Sequence, residues 1–560
     1  MIQMRFVLES SMLMVWSKKP LMTVHCARPS TASSRANEAA HSVTFKRRSQ
    51  ATSLMAKHDK AKRGIPSKDD FNAWYPAIVE IADLVDKRYP IKGMDVWKPY
   101  GWKAMTLIDT LTRAEMERTD HEEYNFPLLV PEDLLDKENR LVSLLKKARE
   151  EGVDPSELRL DAEEGGFKKE VYWVKHAGEN ELDVPMFLRP TSETPMYTMF
   201  PLWVRSHGDL PLKTFQIVNT FRYETKQTRS FIRVREIHFF EAHTAHKDQA
   251  GADAQIAQDA EIVQNLLHDL CFPAIVSKRP VWDTFPGAWY STAVDVVMPN
   301  GRTLQVATYH HYKDQWAKAF DLKYEDTNGQ TQYCHQTTFG MSERMLGAVV
   351  GMHGDDAGLI FPPKIAPIQV VLMPVAAHLD QSVIPTIEKM ATQLKAAGYR
   401  VKVDNRDIRP GAKHYDWEIK GVPLRLELGP RDIKSGKFVM SMRTGGKEFH
   451  DSSELINVVA DALIRTESEL RVRSTAHMSH FVIPFPGITQ TDDGWQLNSE
   501  LEDGKVYEFA FDGNDSDAEI LERASGLTFL GDSIEPFTEP RPCAVTGRMT
   551  TRRQHLARMY

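Results

Sequence analysis

The segment from Phe221 to His246 interleaves charged side chains with aromatic ones, and this pattern restricts what the chain can fold into. Within FRYETKQTRSFIRVREIHFFEAHTAH there are four arginines and three histidines. The segment also holds Phe221, Phe231, Phe239 and Phe240, a residue type usually found in protein interiors. Because the charges stand among side chains that favour burial, we expect them to line a pocket.

The sequence around this segment predicts an antiparallel sheet. Short apolar runs between Val171 and Tyr309 are typical of strands, and one long helix is predicted near Gln249 to Leu270. Neighbouring strands joined by turns, with helices elsewhere, favour an α+β fold. KQTRS would be the turn between two of these strands, and Arg222 and Glu224 would share one strand face.

A chain of 560 residues is long enough for roughly three or four domains. From Ile368 onwards strands and helices alternate, which predicts a mixed α/β domain closed by a helix near Glu454 to Arg473. The proline-rich PPKIAP segment is a candidate linker before it. We therefore expect an N-terminal extension, a large domain, an α/β domain and a small α+β C-terminal module, at residues 1–64, 65–362, 363–473 and 474–560.

The N-terminal extension is basic, poor in acids and without sustained periodicity. Such a segment is expected to be disordered. Two origins stay open: an organelle transit peptide, or leader sequence upstream of a start at Met55. We expect a cytoplasmic protein, or an organellar one if the extension is a transit peptide.

Several classes of protein are excluded by composition. No run of about 18 apolar residues occurs, so no membrane span is predicted. Cys26, Cys271, Cys334 and Cys543 lie far apart without a CxxC pair, which argues against a disulfide framework and a zinc ribbon. The formal net charge of −7 leaves a nucleic-acid partner open, provided that it binds a local basic patch.

The charged segment suits ligands that carry phosphate or carboxylate groups. The guanidinium groups of Arg222 and Arg233 can hold such oxygens in a bidentate way. No GxxxxGK[ST] sequence is present, so ATP would not be bound by a P-loop. The alternative is that these charges form cross-strand ion pairs that stabilise the sheet.

Together with this charged segment, two further sequence clusters resemble the motifs of a known protein family. RPTSE begins at Arg189, and FGMSER ends at Arg344. Alone, Ser342 and Arg344 look like ordinary residues at the start of a helix. Together, YNFPLLVP with Pro127, the paired FRYE and FIRVRE, and GMSER resemble motifs 1, 2 and 3 of the class II aminoacyl-tRNA synthetases.

Between motifs 1 and 2, FLRPTSETPMY resembles the signature of prolyl-tRNA synthetases of the archaeal and eukaryotic-like type. The match extends from about Gly64 to the C-terminus. It implies a class II antiparallel-sheet catalytic domain followed by an α/β anticodon-binding domain. The span between His246 and Phe339 is too short for an editing insertion, and a pocket alone excludes smaller substrates weakly. We therefore expect some mischarging with alanine or cysteine.

The resemblance implies a proline site around the TSE sequence. Thr191 and Glu193 would hold the imino group of proline, because a secondary ammonium needs a carboxylate partner. Phe239 would form an aromatic wall against the pyrrolidine ring. His310 and Ser342 would complete this site.

The resemblance also implies an ATP site that shares one residue with the proline site. Arg222 would hold both the proline carboxylate and the α-phosphate of ATP, and Arg344 would hold the γ-phosphate. These two arginines are the predicted catalytic residues, and Mg²⁺ would enter bound to ATP. The remaining predicted ATP contacts are Glu224, Arg233, Gln305 and Thr308.

Three further residues are implied to read the anticodon of a proline tRNA. They are Glu418, Arg425 and Lys447, within or near DWEIKGVPLRLELGPRD. Arginine and carboxylate groups match the edges of unpaired guanines. The alternative is a solvated charged face.

The C-terminal segment resembles a module that often binds zinc through several cysteines. Here Cys543 is kept, but Thr546 stands where a second cysteine is expected, and no others lie nearby. Structural zinc requires four nitrogen or sulfur ligands, so no metal is predicted. Motif 1 implies a homodimer, which is also the commonest oligomer type.

Two alternative functions fit parts of the sequence. A synthetase for threonine, serine, glycine or histidine shares the architecture, but TSE together with LQVATYHH, which fits a QxxTxH pattern, favours proline. A catalytically inactive paralogue that binds tRNA or a partner would be expected to lack the motif arginines, and both Arg222 and Arg344 are present.

Overall fold

The computed structural model describes residues 64–151, 170–492 and 494–560. Residues Gly64–Tyr560 form one compact unit. The predicted disorder of the N-terminal extension falls on residues outside those described. No helix among the described residues is both long and apolar enough to cross a bilayer.

The secondary structure of the described residues comprises both helices and strands. The α-helices are α1 Phe71–Ile81, α2 Pro99–Arg118, α3 Glu132–Glu151, α4 Glu193–Trp203, α5 Gln249–Asp269, α6 Gln315–Phe320, α7 Arg344–His353, α8 Val383–Ala396, α9 Pro410–Ile419, α10 Pro430–Ser435, α11 Leu455–Phe481 and α12 Asp515–Ser525. The strands up to residue 342 are β1 Val85–Asp86, β2 Val96–Trp97, β3 Glu122–Glu123, β4 Leu129–Pro131, β5 Tyr172–Ala177, β6 Asn180–Leu188, β7 Leu212–Phe221, β8 Glu236–His246, β9 Ile275–Lys278, β10 Tyr290–Val297, β11 Thr303–Lys313, β12 Lys323–Glu325, β13 Thr331–Tyr333 and β14 His335–Ser342. The later strands are β15 Val370–Pro374, β16 Val401–Val403, β17 Leu424–Leu428, β18 Lys437–Met442, β19 Lys447–Asp451, β20 Val482–Pro484, β21 Ile488–Thr491, β22 Gly494–Leu497, β23 Val506–Ala510, β24 Thr528–Ser533, β25 Arg541–Pro542, β26 Met549–Thr550 and β27 Arg553–Ala557.

The central sheet has eleven strands in the order β20-β23-β27-β24-β9-β10-β11-β14-β8-β7-β3. Its pairings from β23 to β7 are all antiparallel. The predicted antiparallel α+β architecture is therefore confirmed. One face of the sheet is covered by α5 and α7, whose residues Leu266 and Leu346 are fully or almost fully buried in the main core.

Alternation along the strands gives the central sheet two different faces. Phe240 and Ala242 of β8, with Phe339 and Met341 of β14, belong to the main core. Their neighbours in sequence project to the opposite face. That face carries side chains that line a cavity of about 460 Å³, including Phe239.

A second sheet has the order β16-β15-β17-β18-β19. β15 pairs in parallel with β16 and β17, while β18 pairs in antiparallel fashion with both of its neighbours. α8 and α11 bury one face of this sheet in a separate apolar cluster that includes Leu372, Phe438 and Leu463. This is the mixed α/β arrangement expected for the anticodon-binding domain.

The C-terminal segment is not separate from the central sheet. β20, β23, β24 and β27 extend that sheet beyond β9. The predicted boundary after Arg473 lies inside α11, which continues to Phe481. The boundaries near residues 362 and 473 therefore remain proposals.

Two local predictions are wrong. The apolar run YNFPLLVP, bounded by prolines, predicts a buried strand, but only residues 129–131 form a strand, and Leu128 and Leu129 are exposed. The paired strands of motif 2 end at Phe221 and begin at Glu236, so the KQTRS turn is part of a longer loop. Arg222, Glu224 and Arg233 thus lie beyond the strands.

Candidate active site

Two neighbouring cavities lie on the face of the central sheet opposite α5 and α7. Each has a volume of about 460 Å³. Their linings share Glu170, Arg222, Phe239, Ser342 and Arg344. Because the shared residues include both predicted catalytic arginines, the two cavities meet at the place where the reaction is expected.

Three arginines converge on this junction. Burial, together with the nearby charges of Arg222 and Arg233, lowers the pKa of Arg344 to about 10. Burial also lowers the pKa of Arg222. Cations that repel one another in a buried site are stabilised by an anion placed between them. The junction is therefore suited to phosphate and carboxylate groups.

Hydrogen bonds to backbone carbonyls position two of these arginines. Arg344 donates from Nε to the carbonyl of Ile232 at 2.9 Å and from Nη1 to that of Gln305 at 3.2 Å. Arg222 donates from Nε to the carbonyl of Pro190 at 3.2 Å. These contacts hold both guanidinium groups at the cavity before any ligand binds.

Arg233 and Glu224 form an ion pair, with 2.7 Å between Nη1 and Oε2. Both residues line the second cavity. The sequence also allowed these charges to form cross-strand ion pairs that stabilise the sheet. Arg233 and Glu224 do form an ion pair, but both residues belong to one loop and not to two neighbouring strands. Its place at the cavity is also compatible with the predicted contact to the nucleotide.

Thr191 and Glu193 of the TSE sequence line the first of the two cavities, here called the inner cavity, and α4 begins at Glu193. Thr191 donates a hydrogen bond to Glu193, and the hydroxyl of Tyr312 donates to its other oxygen at 3.1 Å. Glu193 is 1% exposed. The arrangement presents a buried carboxylate to a ligand that carries positive charge.

Glu241 is a buried carboxylate that the sequence interpretation missed. It accepts hydrogen bonds from the amide and hydroxyl of Ser192 and from Gln216. Burial alone would raise the pKa of Glu241, but hydrogen bonds from His243, Ser192 and Gln216 outweigh it and lower that pKa. Its position two residues after Phe239 on β8 is a signal that could have revealed it.

The carboxylates of Glu193 and Glu241 lie with His243 in a group whose ligand atoms fall within 4.8 Å of one another. Both oxygens of Glu241 already accept hydrogen bonds from protein groups. We therefore interpret this group as a hydrogen-bonded support for the TSE sequence.

Two phenylalanines and a histidine also line the inner cavity. His310 is buried, and burial lowers its pKa to about 3, so the ring is neutral. Its Nδ1 lies 2.7 Å from the hydroxyl of Ser291, and its ring centroid lies 4.7 Å from that of Phe285. Phe239 also lines this cavity: a Cβ on Gly340 would lie 3.2 Å from its ring, so Gly340 permits this close approach.

Two further predicted nucleotide contacts, Gln305 and Thr308, line the first cavity. The predicted proline contact Ser342 lines it too. The hydroxyl of Thr308 donates to the carbonyl of Thr292 at 3.1 Å, and that of Ser342 accepts from the amide of Arg344 at 3.3 Å. All predicted proline and ATP residues thus line one or both of the two joined cavities.

The predicted anticodon residues surround a third cavity, of about 420 Å³, at the second sheet. Glu418, Arg425 and Lys447 all line it. Arg425 Nε lies 2.9 Å and Lys447 Nζ lies 3.8 Å from the carboxylate of Glu427. Glu427, which the sequence interpretation missed, holds both cations on one side of the sheet.

Comparison with known proteins agrees with this geometry. The family model described as the tRNA synthetase class II core domain (G, H, P, S and T) matches residues 172–353, and the anticodon binding domain matches residues 369–462. A proline–tRNA ligase of Thermococcus kodakarensis is 50% identical over 414 residues, which cover 74% of this chain and 79% of the relative. The chain belongs to the proline–tRNA ligase family.

Solved prolyl-tRNA synthetase structures have the same fold. The enzyme of Giardia lamblia, solved with prolyl-adenylate, is 32% identical with a TM-score of 0.78, covering 88% of this chain and 99% of its own. The enzyme of Cryptosporidium parvum, solved with halofuginone and AMPPNP, is 27% identical with a TM-score of 0.77 and the same coverage. The predicted class II fold and family are thereby confirmed.

Proposed function

We propose that this chain attaches proline to proline tRNA in two steps that use ATP. The observation that carries the proposal is that Arg222 and Arg344 line the cavity that contains the buried carboxylate of Glu193, while Arg233 joins them in the adjoining cavity. One part of the site suits the anionic groups of ATP and of an amino acid, and the other suits an ammonium. The Giardia relative's bound prolyl-adenylate carries both kinds of group.

In the first step, the carboxylate of proline attacks the α-phosphate of Mg·ATP, and pyrophosphate leaves. Arg222 neutralises the carboxylate and the α-phosphate, and Arg344 holds the γ-phosphate. Thr191 and Glu193 bind the imino group, while Phe239, His310 and Ser342 surround the ring. Catalysis then depends on positioning and charge neutralisation, without a covalent protein intermediate.

In the second step, the terminal ribose hydroxyl of the tRNA attacks the prolyl-adenylate and AMP leaves. Glu418, Arg425 and Lys447 read the anticodon guanines. Charging of a proline tRNA transcript by the full chain, with ATP and labelled proline, tests this function. A paralogue without activity would bind the transcript but leave it uncharged, and the three arginines at the cavities argue against that alternative.

The pH dependence of proline binding provides a separate prediction. Burial, with a smaller contribution from Glu193, raises the pKa of Glu138 to about 7 at the inner cavity. Glu138 is therefore neutral below pH 7, and its ionisation above pH 7 adds negative charge that favours a cationic ligand. We expect the KM for proline to fall about fivefold between pH 6 and pH 8, because the interaction with the added charge is worth roughly 1 kcal/mol.

Glu138→Gln is expected to remove this pH dependence while keeping hydrogen-bonding capacity toward Thr194. The matched control is Glu181→Gln, which changes an exposed carboxylate on β6. KM measured from ATP–pyrophosphate exchange across this pH range gives the comparison. An unchanged slope in the Glu138 variant would show that another group titrates.

We also propose a homodimer formed through motif 1. Leu128 and Leu129 are 40% and 41% exposed directly after Pro127, and exposed apolar clusters favour association. Leu128→Glu combined with Leu129→Glu is expected to yield monomers, because it places charge in the interface. Sedimentation velocity compares this variant with wild type and with Ile464→Glu, at an exposed site on α11. Dimers that persist in the double variant would contradict this interface.

Zinc is not proposed for the C-terminal segment, because the residues present there do not fit it. The sulfur of Cys543 accepts hydrogen bonds from the amides of Asp512 and Thr546, at 3.5 and 3.4 Å. The hydroxyl of Thr546 donates to Asp512 at 2.8 Å. The absence of zinc and a cytoplasmic location both stay predictions, testable by metal analysis and by imaging of the tagged protein.

A further inference from the structure

The second sheet has one covered face and one that is only partly covered. On the first, Phe438 and Met440 of β18 pack in the cluster formed with α8 and α11. On the other, Trp417 of α9 packs over Val371 and Met373 of β15. The part of this second face that belongs to β18 and β19 carries Phe449.

Phe449 is 65% exposed, more than any other aromatic residue among the exposed large apolar residues of the described chain. It pairs with Val439 across β18 and β19. Val439 in turn pairs with Glu427. A large apolar ring is thus held on a regular strand and is exposed to solvent.

Phe449 continues the surface of the predicted anticodon residues. Lys447 precedes it by two residues on β19, so both side chains project from the same face, about 7 Å apart along the strand. The adjoining row across the sheet is Arg425, Ser441 and Lys447. The ring of Phe449 therefore lies in the cross-strand row next to the one that contains Arg425 and Lys447, the cations that line the third cavity.

We propose that Phe449 is a stacking platform for an unpaired base of the tRNA anticodon loop, next to the guanines read by Glu418, Arg425 and Lys447. This inference rests on the proposed function. Proteins bind single-stranded RNA by stacking bases on aromatic side chains while cations hold the backbone. An exposed ring beside Lys447 and Arg425 supplies both elements.

A protein partner fits this surface less well. A stable protein interface buries about 800 Å² on each partner. Among the exposed large apolar residues of the described chain, Phe449 is the only one on a strand of the second sheet. One apolar ring among charged neighbours suits a single base.

The test measures binding and charging of proline tRNA by full-length variants. Phe449→Ala is expected to raise the Kd and the KM for tRNA about 5- to 100-fold, the range for loss of one stacked base. Phe449→Tyr is expected to keep wild-type values, and Phe449→Leu to behave like alanine. Rescue by leucine would contradict stacking, because an aliphatic chain supplies apolar area without a π-face.

Two controls define the comparison. Ile464→Ala removes an equally exposed apolar side chain from α11 and is expected to leave tRNA binding unchanged. Proline-dependent ATP–pyrophosphate exchange, which needs no tRNA, is expected to stay at wild-type level in every Phe449 variant. Absence of exchange in wild type would refute the proposed function, whereas normal exchange with unchanged tRNA binding in Phe449→Ala would refute only this inference.

A fluorescent base identifies the contact directly. 2-Aminopurine is placed, one position at a time, at the unpaired anticodon-loop positions that flank the anticodon guanines. Stacking on Phe449 is expected to change its fluorescence at one position on binding, and Phe449→Ala is expected to abolish that change. A signal that is identical in wild type and Phe449→Ala at every position would overturn the proposal.

Discussion

Replacing Arg222 by alanine is expected to lower kcat/KM for proline-dependent ATP–pyrophosphate exchange by about 10³-fold. Arg222 lines both cavities, and its guanidinium is positioned by the carbonyl of Pro190. Two charge-assisted hydrogen bonds, at about 1.5–3 kcal/mol each, correspond to a loss of this size, since about 1.4 kcal/mol is tenfold in rate. Most of the loss should appear in kcat, because Arg222 faces charge that shifts during the reaction.

The matched control is Arg523→Ala, which removes an exposed arginine from α12. This variant is expected to exchange pyrophosphate at the wild-type rate. Circular dichroism and thermal unfolding show whether the Arg222 variant keeps its fold. A folded Arg222→Ala protein with exchange within tenfold of wild type would contradict the assigned role.

Replacing Glu193 by glutamine is expected to raise the KM for proline by about 10²- to 10³-fold. Glu193 is almost fully buried, and removing one partner of a buried ion pair costs about 3–5 kcal/mol. The neutral amide would leave the proline ammonium without its counter-charge. We expect a larger effect on KM than on kcat, because the ammonium takes no part in the bonds that change.

Glu181→Gln again provides the control, since its carboxylate is exposed on β6. Exchange rates over a wide range of proline concentrations separate KM from kcat. A separate titration with ATP is expected to give a near-normal KM for ATP in Glu193→Gln. Loss of ATP binding together with proline binding would indicate a collapsed site instead of a missing counter-charge.

The sequence predicted the class of fold because its signals were local. The apolar strands of the central sheet and the long helix near Gln249 have the spacing of regular elements, and the structure confirms them. The residues from Trp102 to Glu122 predict a helix, and the structure has it at Pro99–Arg118, because proline is favoured in the first turn of a helix. Element types were therefore better determined than their ends.

Other features depend on contacts between residues that are distant in sequence, and local sequence patterns do not reveal such contacts. Phe221 and Phe231 are buried as expected, yet residues 222–235 form a loop held by contacts such as that of the Arg235 amide with the Gly93 carbonyl. Glu241 was missed because its hydrogen-bond partners Ser192 and Gln216 are distant in sequence. The motif residues were located by family resemblance, and only the structure shows that they line adjoining cavities.

The most direct measurement of the central claim is ATP–pyrophosphate exchange by the purified chain with proline, alanine, cysteine, threonine or no amino acid. The account predicts strong exchange with proline, weaker exchange with alanine and cysteine, and none with threonine or without an amino acid. Folded dimers that give no exchange with any of them would contradict it and favour the inactive paralogue.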